Sequence, residues 1–184
     1  MGRVSSQTAL RIIYWNLVVA VTVVCLAGVA HVRRIHRYDE FITQAGRKYG
    51  VDARLISAVI WQESRFHPDR IGTKNEVGLM QVTDAAAAEW AKAQEIPAFR
   101  REMLFDPATN IDAGTWYLAR ALRRWKHCPD PVPFALAEYN AGRSNARRWA
   151  KISGTDAKLF WESITYPTTK QYVERILKRY RGRV

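Results

Sequence analysis

The chain has 184 residues, room for one ordinary domain and not two. With 48% apolar residues, 10 Gly and 7 Pro it is neither disordered nor collagen-like, and 29 Lys and Arg against 17 Asp and Glu leave it at +12. Two cysteines cannot build a disulfide framework, no Cys/His spacing suits zinc, and neither a P-loop nor a dinucleotide-binding glycine motif is present, so no metal or cofactor is expected.

Ile12 to Ala30 is a run of 19 residues without a charge. As a helix it spans about 28 Å, close to the hydrocarbon thickness of a bilayer. Tyr14 and Trp15 sit where interfacial aromatics lie. Two readings stay open. A retained single-pass anchor is favoured because the run exceeds the roughly 7–15 apolar residues of a signal peptide; a cleaved signal is the other, with Gly28 and Ala30 as the small cleavage-site residues. Arg3 and Arg11 precede the run while Arg33, Arg34 and Arg37 follow it, a count that by itself leans toward a cytoplasmic C-terminal side. Cys25 follows Val24, not a small residue, which argues against a lipoprotein. The expected division is therefore a membrane segment over residues 1–37 and a soluble domain over 38–184, the latter at +7 because it holds every acid.

In the soluble part helical periodicity dominates and no convincing strand is found. Seven Trp and eight Tyr suggest a core plus a groove for something flat. A first helix is predicted near Asp39–Tyr49, stopped by Gly50. The next has Asp52 as N-cap, with Val51 and Ile56 placed as a hydrophobic staple. Leu55, Ile56, Val59, Ile60 and Phe66 mark its apolar stripe, and Glu63 lies on that stripe, seven residues after Ile56 and four after Val59. An acid there is costly unless it is paired, protonated or lining a cleft. Periodicity alone also allows a helix end meeting solvent, or an ion pair with Arg65 or another base. Further helices are predicted near Asp84–Ala93, from Asp106-Pro107 to about Trp125, over Pro133–Ala141 with Gly142 as its stop, and near Thr169–Tyr180.

Four blocks stand in order along this part: Val59-Ile60-Trp61-Gln62-Glu63-Ser64, Gly78-Leu79-Met80-Gln81, Asp106-Pro107 with Asn110-Ile111, and Ala137-Glu138-Tyr139-Asn140-Ala141-Gly142. A fifth, Tyr166 through Tyr172-Val173, is looser. Together they resemble a lytic transglycosylase of the soluble, goose-lysozyme-like type over about Asp39 to Tyr180. The resemblance implies an all-α, lysozyme-like domain with a sugar-binding cleft. It places the catalytic acid on Glu63, an orienting or substrate-binding serine on Ser64, groove contacts to N-acetyl sugars on Met80 and Gln81, and a polar pair near the acid on Tyr139 and Asn140. On the residues alone, Met80 also fits a core position and Tyr139 a packing one.

A glycosidase commonly uses two carboxylates, and no second carboxylate in these blocks is clearly a partner for Glu63. One suffices if the sugar supplies the nucleophile. A protonated Glu63, with a pKa raised by burial to roughly 6, donates to the glycosidic oxygen after N-acetylmuramic acid. The carboxylate then takes the proton of that sugar's own C6 hydroxyl, which closes on C1 with an effective molarity of about 10⁵–10⁸ M. The product is a 1,6-anhydro end. Three departures from the family pattern stand out: Thr168-Thr169-Lys170 where Glu-Thr-Arg is usual, Gly72-Thr73 in place of the loop serine, and Glu138 in place of a small residue, expected to face solvent.

The implied protein is a membrane-tethered peptidoglycan lytic transglycosylase of the bacterial inner membrane, its catalytic domain in the periplasm, or a periplasmic form after signal cleavage. Its partners are glycan strands and, through the N-terminal helix, the membrane. A lysozyme-type hydrolase and a non-catalytic glycan-binding scaffold are the alternatives. The basic stripe of Lys170, Arg175, Lys178, Arg179, Arg181 and Arg183 fits a solvated helix face or an anionic wall polymer as well as nucleic acid, and no nucleic acid partner is expected.

Overall fold

The computed structural model describes residues 6–182, so the expectations placed on Arg3 and Arg183 lie outside the described residues. The chain separates into two compact units, the first ending at Asp39 and the second beginning at Glu40. In the first, α1 (Ser6–His36) is long and apolar enough to cross a membrane.

The second unit is helical. It contains α2 (Asp39–Tyr49, entered from the boundary), α3 (Ala53–Ser64), α4 (Asp84–Ala93), a 3₁₀ turn (Arg101–Phe105), α5 (Pro107–Arg124), α6 (Val132–Ala141), α7 (Arg143–Ser153), α8 (Ala157–Ser163) and α9 (Pro167–Tyr180). Among the described residues the β component is two isolated bridges, Ile71 to Val77 and Val77 to Val82. Local chemistry accounts for the starts. Asp52 accepts from the Arg54 amide at 2.8 Å, Thr83 from Ala86 at 3.2 Å and Asp106 from Thr109 at 2.9 Å, each satisfying one of the orphan amides of a first turn. Pro107 opens α5 with its φ already helical.

α6 is the centre of the packing. It is buried from Pro133 to Glu138 and meets α5, α7, α8 and α9. Phe134 stacks on Phe160 of α8 at 4.0 Å between ring centroids, with Trp125, the C-cap of α5, 5.2 Å away. Side chains of this size contribute about 1.5–3 kcal/mol each when fully buried. α9 lays Tyr172, Val173 and Ile176 against α3 and α6.

α7, α8 and the 3₁₀ turn were not expected. α7 buries only Ala146, Trp149 and Ser153 beneath four basic residues, too narrow an apolar stripe to register as a helix by pattern. The expectation that Glu138 faces solvent is overturned: it is 1% exposed, ion-paired to Arg124 and bonded by the Trp125 indole N–H at 2.7 Å.

Candidate active site

Glu63 stands in the last turn of α3, one turn beyond Val59, which is fully buried. The helix stops immediately afterwards. Arg65 caps it in the left-handed region at φ 55°, its amide bonding Trp61 O at 3.1 Å, and Phe66 follows at φ 61°. Two successive left-handed residues with side chains, one of them aromatic, store backbone strain. Burial of Phe66 to 1% exposure holds the reversal in place.

The chain then returns as a loop over 67–82 that forms one wall of a cleft of about 620 Å³. Gly78 is required in it. Its φ is 79°, and a Cβ there would lie 2.2 Å from Asn110 Nδ2. That close approach lets Asn110 hold the loop on α5: its Oδ1 accepts from the Met80 amide at 2.8 Å, and its Nδ2 donates to Val77 O and Leu104 O at 2.8 Å each. Ser64 ties the same loop to α3, its hydroxyl donating to Leu79 O at 2.8 Å. Tyr139 of α6 completes the clamp with a bond to Met80 O at 2.8 Å.

The cleft brings together Glu63, Gln81, Tyr139 and Asn140 of the expected site. It does not bring Ser64 or Met80 to the surface. Ser64 is 1% exposed with its hydroxyl spent on backbone carbonyls, and Met80 is fully buried. The Met80 side chain rests so close to Gly114 that a Cβ there would meet it at 2.6 Å. Ser64, expected to orient the acid or bind substrate, and Met80, expected to contact the sugars, stand behind the wall in this structure and shape it. Thr168, at the usual glutamate position, lines the cleft, as do Gly72 and Thr73. Asn140 accepts from Thr169 at 2.8 Å, which leaves its amide NH₂ as the group available to a ligand.

Four residues outside the expected site also line the cleft: Tyr172, expected only within the fifth block, Arg175, expected only in the basic stripe, and Glu76 and Arg70. The Tyr172 hydroxyl donates to Glu63 Oε1 at 2.6 Å, across 109 residues of sequence. The signal for it was present, since a tyrosine on an apolar stripe needs a partner for its hydroxyl. Glu63 makes no ion pair among the described residues. Burial pushes its carboxyl up to about 7; the Tyr172 bond opposes this, Glu76 adds to it, and Arg70 opposes it again. The Tyr172 and Tyr139 hydroxyls are held well above the usual phenol range, by burial first and then by the Glu63 charge. Among the described residues no three of His, Cys, Asp and Glu gather to hold a metal ion.

A helical domain with one poised carboxyl at the end of a buried helix, faced by a tyrosine and an asparagine, defines a class, and the comparisons give it a name. Residues 40–161 match the transglycosylase SLT domain, and the chain belongs to that family. It is 44% identical over 91 residues to the membrane-bound lytic murein transglycosylase C of Salmonella arizonae, a match covering 47% of this chain and 25% of that protein. The structure is similar to that of the 70 kDa soluble lytic transglycosylase of Escherichia coli (TM-score 0.71, 30% identity, 79% of this chain and 24% of that one). It is also similar to an inactive mutant of the lytic transglycosylase Slt of Pseudomonas aeruginosa (TM-score 0.72, 26% identity, 79% and 23%). The fold is the all-α lysozyme-like one. The chain spans about a quarter of the length of each of these relatives.

Proposed function

We propose that this chain is a membrane-tethered lytic transglycosylase that cleaves the bond between N-acetylmuramic acid and N-acetylglucosamine in peptidoglycan without consuming water. The observation that carries the reading is the state of Glu63: a carboxyl in a cleft, with a pKa of about 7, bonded by Tyr172 and paired with no base. Protonated, it gives its proton to the glycosidic oxygen. As the carboxylate it draws the proton from the C6 hydroxyl of the muramic sugar, which closes on C1. The Tyr172 hydroxyl stabilises the carboxylate between the two steps and holds its orientation. Asn140, Gln81 and Tyr139 bind the sugars; Ser64 and Met80 keep the loop and α3 in register. The family membership and the lytic transglycosylases it resembles support the same reaction.

Glu76 favours a second reading, hydrolysis. It lines the same cleft and raises the pKa of Glu63, so a second carboxylate stands near enough to be felt. Digestion of murein in ¹⁸O-water separates the two. Unlabelled anhydro ends that resist borohydride are expected; labelled reducing ends would make the enzyme a lysozyme.

The domain organisation follows as residues 1–37 for the anchor and 38–184 for the catalytic domain, with the C-terminal side in the periplasm where murein lies. The length and composition of α1 support the anchor. A C-terminal fusion to a periplasm-dependent reporter is expected to be active, and activity only of a cytoplasm-dependent reporter would refute this orientation.

A further inference from the structure

We propose that Arg65, Arg70, Arg175 and Arg179 form a subsite beside the cleft that binds the carboxylates of the peptides carried by the glycan strand. This rests on the peptidoglycan reading above and names what, besides the sugars, the site recognises.

The four converge from three directions. Arg70 and Arg175 line the cleft that holds Glu63. Arg179 lies one turn beyond Arg175 on α9, and its guanidinium stands 4.1 Å from the centroid of the Trp61 ring; that of Arg65 stands 4.5 Å from the same ring. Trp61 is on α3, the helix that α9 packs against, so the indole gathers two cations two residues from the acid. Stacking of this kind is worth about 0.5–1 kcal/mol at exposed sites and does not neutralise charge.

Charge is what remains unspent. Some basic side chains of the domain are ion-paired, Lys48 with Asp112, Arg54 with Asp52 and Arg181 with Asp130. None of the four arginines has a carboxylate within ion-pair distance among the described residues, and Glu174, the single acid of α9, pairs with none of them. Glu76 accepts from the Lys74 amide at 2.9 Å, and burial pushes the Glu63 carboxyl up to about 7, which disfavours its charged form. The repulsion is felt: partial burial first, then Arg175 and Arg70, hold Arg65 below the usual guanidinium range, and Arg65 does the same to Arg179 after burial. A folded chain that keeps four like charges together beside a cleft, with no ion pair to any of them among the described residues, is arranged for an anionic ligand.

The ligand must be continuous with the glycan. In peptidoglycan the peptide leaves from the lactyl group of the muramic sugar and carries carboxylates within a few residues. Arg175 and Arg179 rise about 6 Å apart along α9, a span that lets two guanidinium forks take separate carboxylates. Arg65 also donates to Trp61 O at 2.7 Å, so it caps α3 and is the arginine least suited to substitution.

The test uses the full chain carrying Glu63→Gln, so that binding is read without turnover, sedimented with insoluble murein sacculi. One portion of the sacculi is native and the other has its carboxyls converted to amides by carbodiimide and ammonia. Adding Arg175→Gln and Arg179→Gln is expected to weaken binding to native sacculi about tenfold and to amidated sacculi less than twofold. The two-lysine version at the same positions restores most of the binding. Equal loss on both substrates, or no loss on native sacculi, overturns the proposal, and unchanged thermal melting confirms that the variant is folded. In parallel, the chain with Glu63 intact is assayed on native sacculi: absence of cleavage there refutes the transglycosylase reading, while the sedimentation result decides the arginine subsite independently.

Discussion

Two glutamates lie on apolar helix faces of this domain, and they have opposite surroundings. Glu138, at the α5–α6 seam, is 1% exposed and has its charge answered by Arg124 and the Trp125 indole. Glu63, at the α3–α9 seam, is half-buried and receives one neutral hydroxyl. The first is a structural ion; the second is an acid whose proton burial makes hard to remove. Burial alone does not mark a catalytic carboxylate. What distinguishes Glu63 is burial without an ion pair among the described residues, next to open volume that a substrate can fill.

Exchanging one carboxyl oxygen for an amide nitrogen at each seam breaks the comparison most sharply. Glu63→Gln is expected to lower kcat on murein by at least about a hundredfold, the lower range for a lost general acid. The same variant is expected to be the more stable protein at alkaline pH. The carboxyl has a folded pKa of about 7 against an ordinary 4.5, so the native state binds the extra proton, and stability is lost as pH rises from 4.5 through 7. Removing the group abolishes that loss, on the order of 3 kcal/mol at pH 9. Thermal melts of both proteins at pH 4 and pH 9 read it; a gap that widens toward acid pH contradicts the assignment.

Glu138→Gln reverses the pattern. It leaves Arg124 with an uncompensated charge in a seam where its Nε already has no partner. A loss of about 3 kcal/mol in unfolding free energy is expected, with kcat at 25 °C changed less than about threefold in the folded fraction. Denaturant titration and an activity assay at low temperature check the two halves. A hundredfold fall in kcat with unchanged stability would move Glu138 into the chemistry.

What was legible in the sequence divides along the same line. Caps and stops depend on neighbours within four residues, so Asp52, Thr83, Asp106 and Gly50 set the ends of α2 to α5 where the pattern places them. The position of Glu63 on its stripe was readable for the same reason. Partners across the fold were not: Arg124 reaches Glu138 from another helix, Tyr172 comes to Glu63 from the far end of the domain, and Glu76 enters from a loop with no periodicity. Ser64 and Met80 show the converse. Their blocks mark where the loop is fastened, through Leu79 O and Asn110, and a sequence block alone does not separate a fastening residue from one that touches substrate.

Tyr172→Phe sharpens the comparison at the level of a single proton. The hydroxyl donates to Glu63 Oε1 and so favours the charged carboxylate, holding the pKa below what burial and Glu76 would set. Without it the neutral acid is favoured, and the pKa of Glu63 rises above about 7. Since the first step needs the protonated form, kcat falls on the alkaline side as pH passes through that pKa; the alkaline limb of the variant should move up by about half a unit to one unit. Its plateau rate should be lower, because the carboxylate formed after the first proton transfer loses its stabilising donor, a charge-assisted bond of about 1.5–3 kcal/mol and hence roughly a tenfold or larger effect. A purely structural tyrosine would change the melting temperature and leave the limb where it was. A limb displaced toward acid pH would mean that the hydroxyl serves the neutral carboxyl, and the acid and base steps assigned to Glu63 would have to be reconsidered from the geometry of that bond.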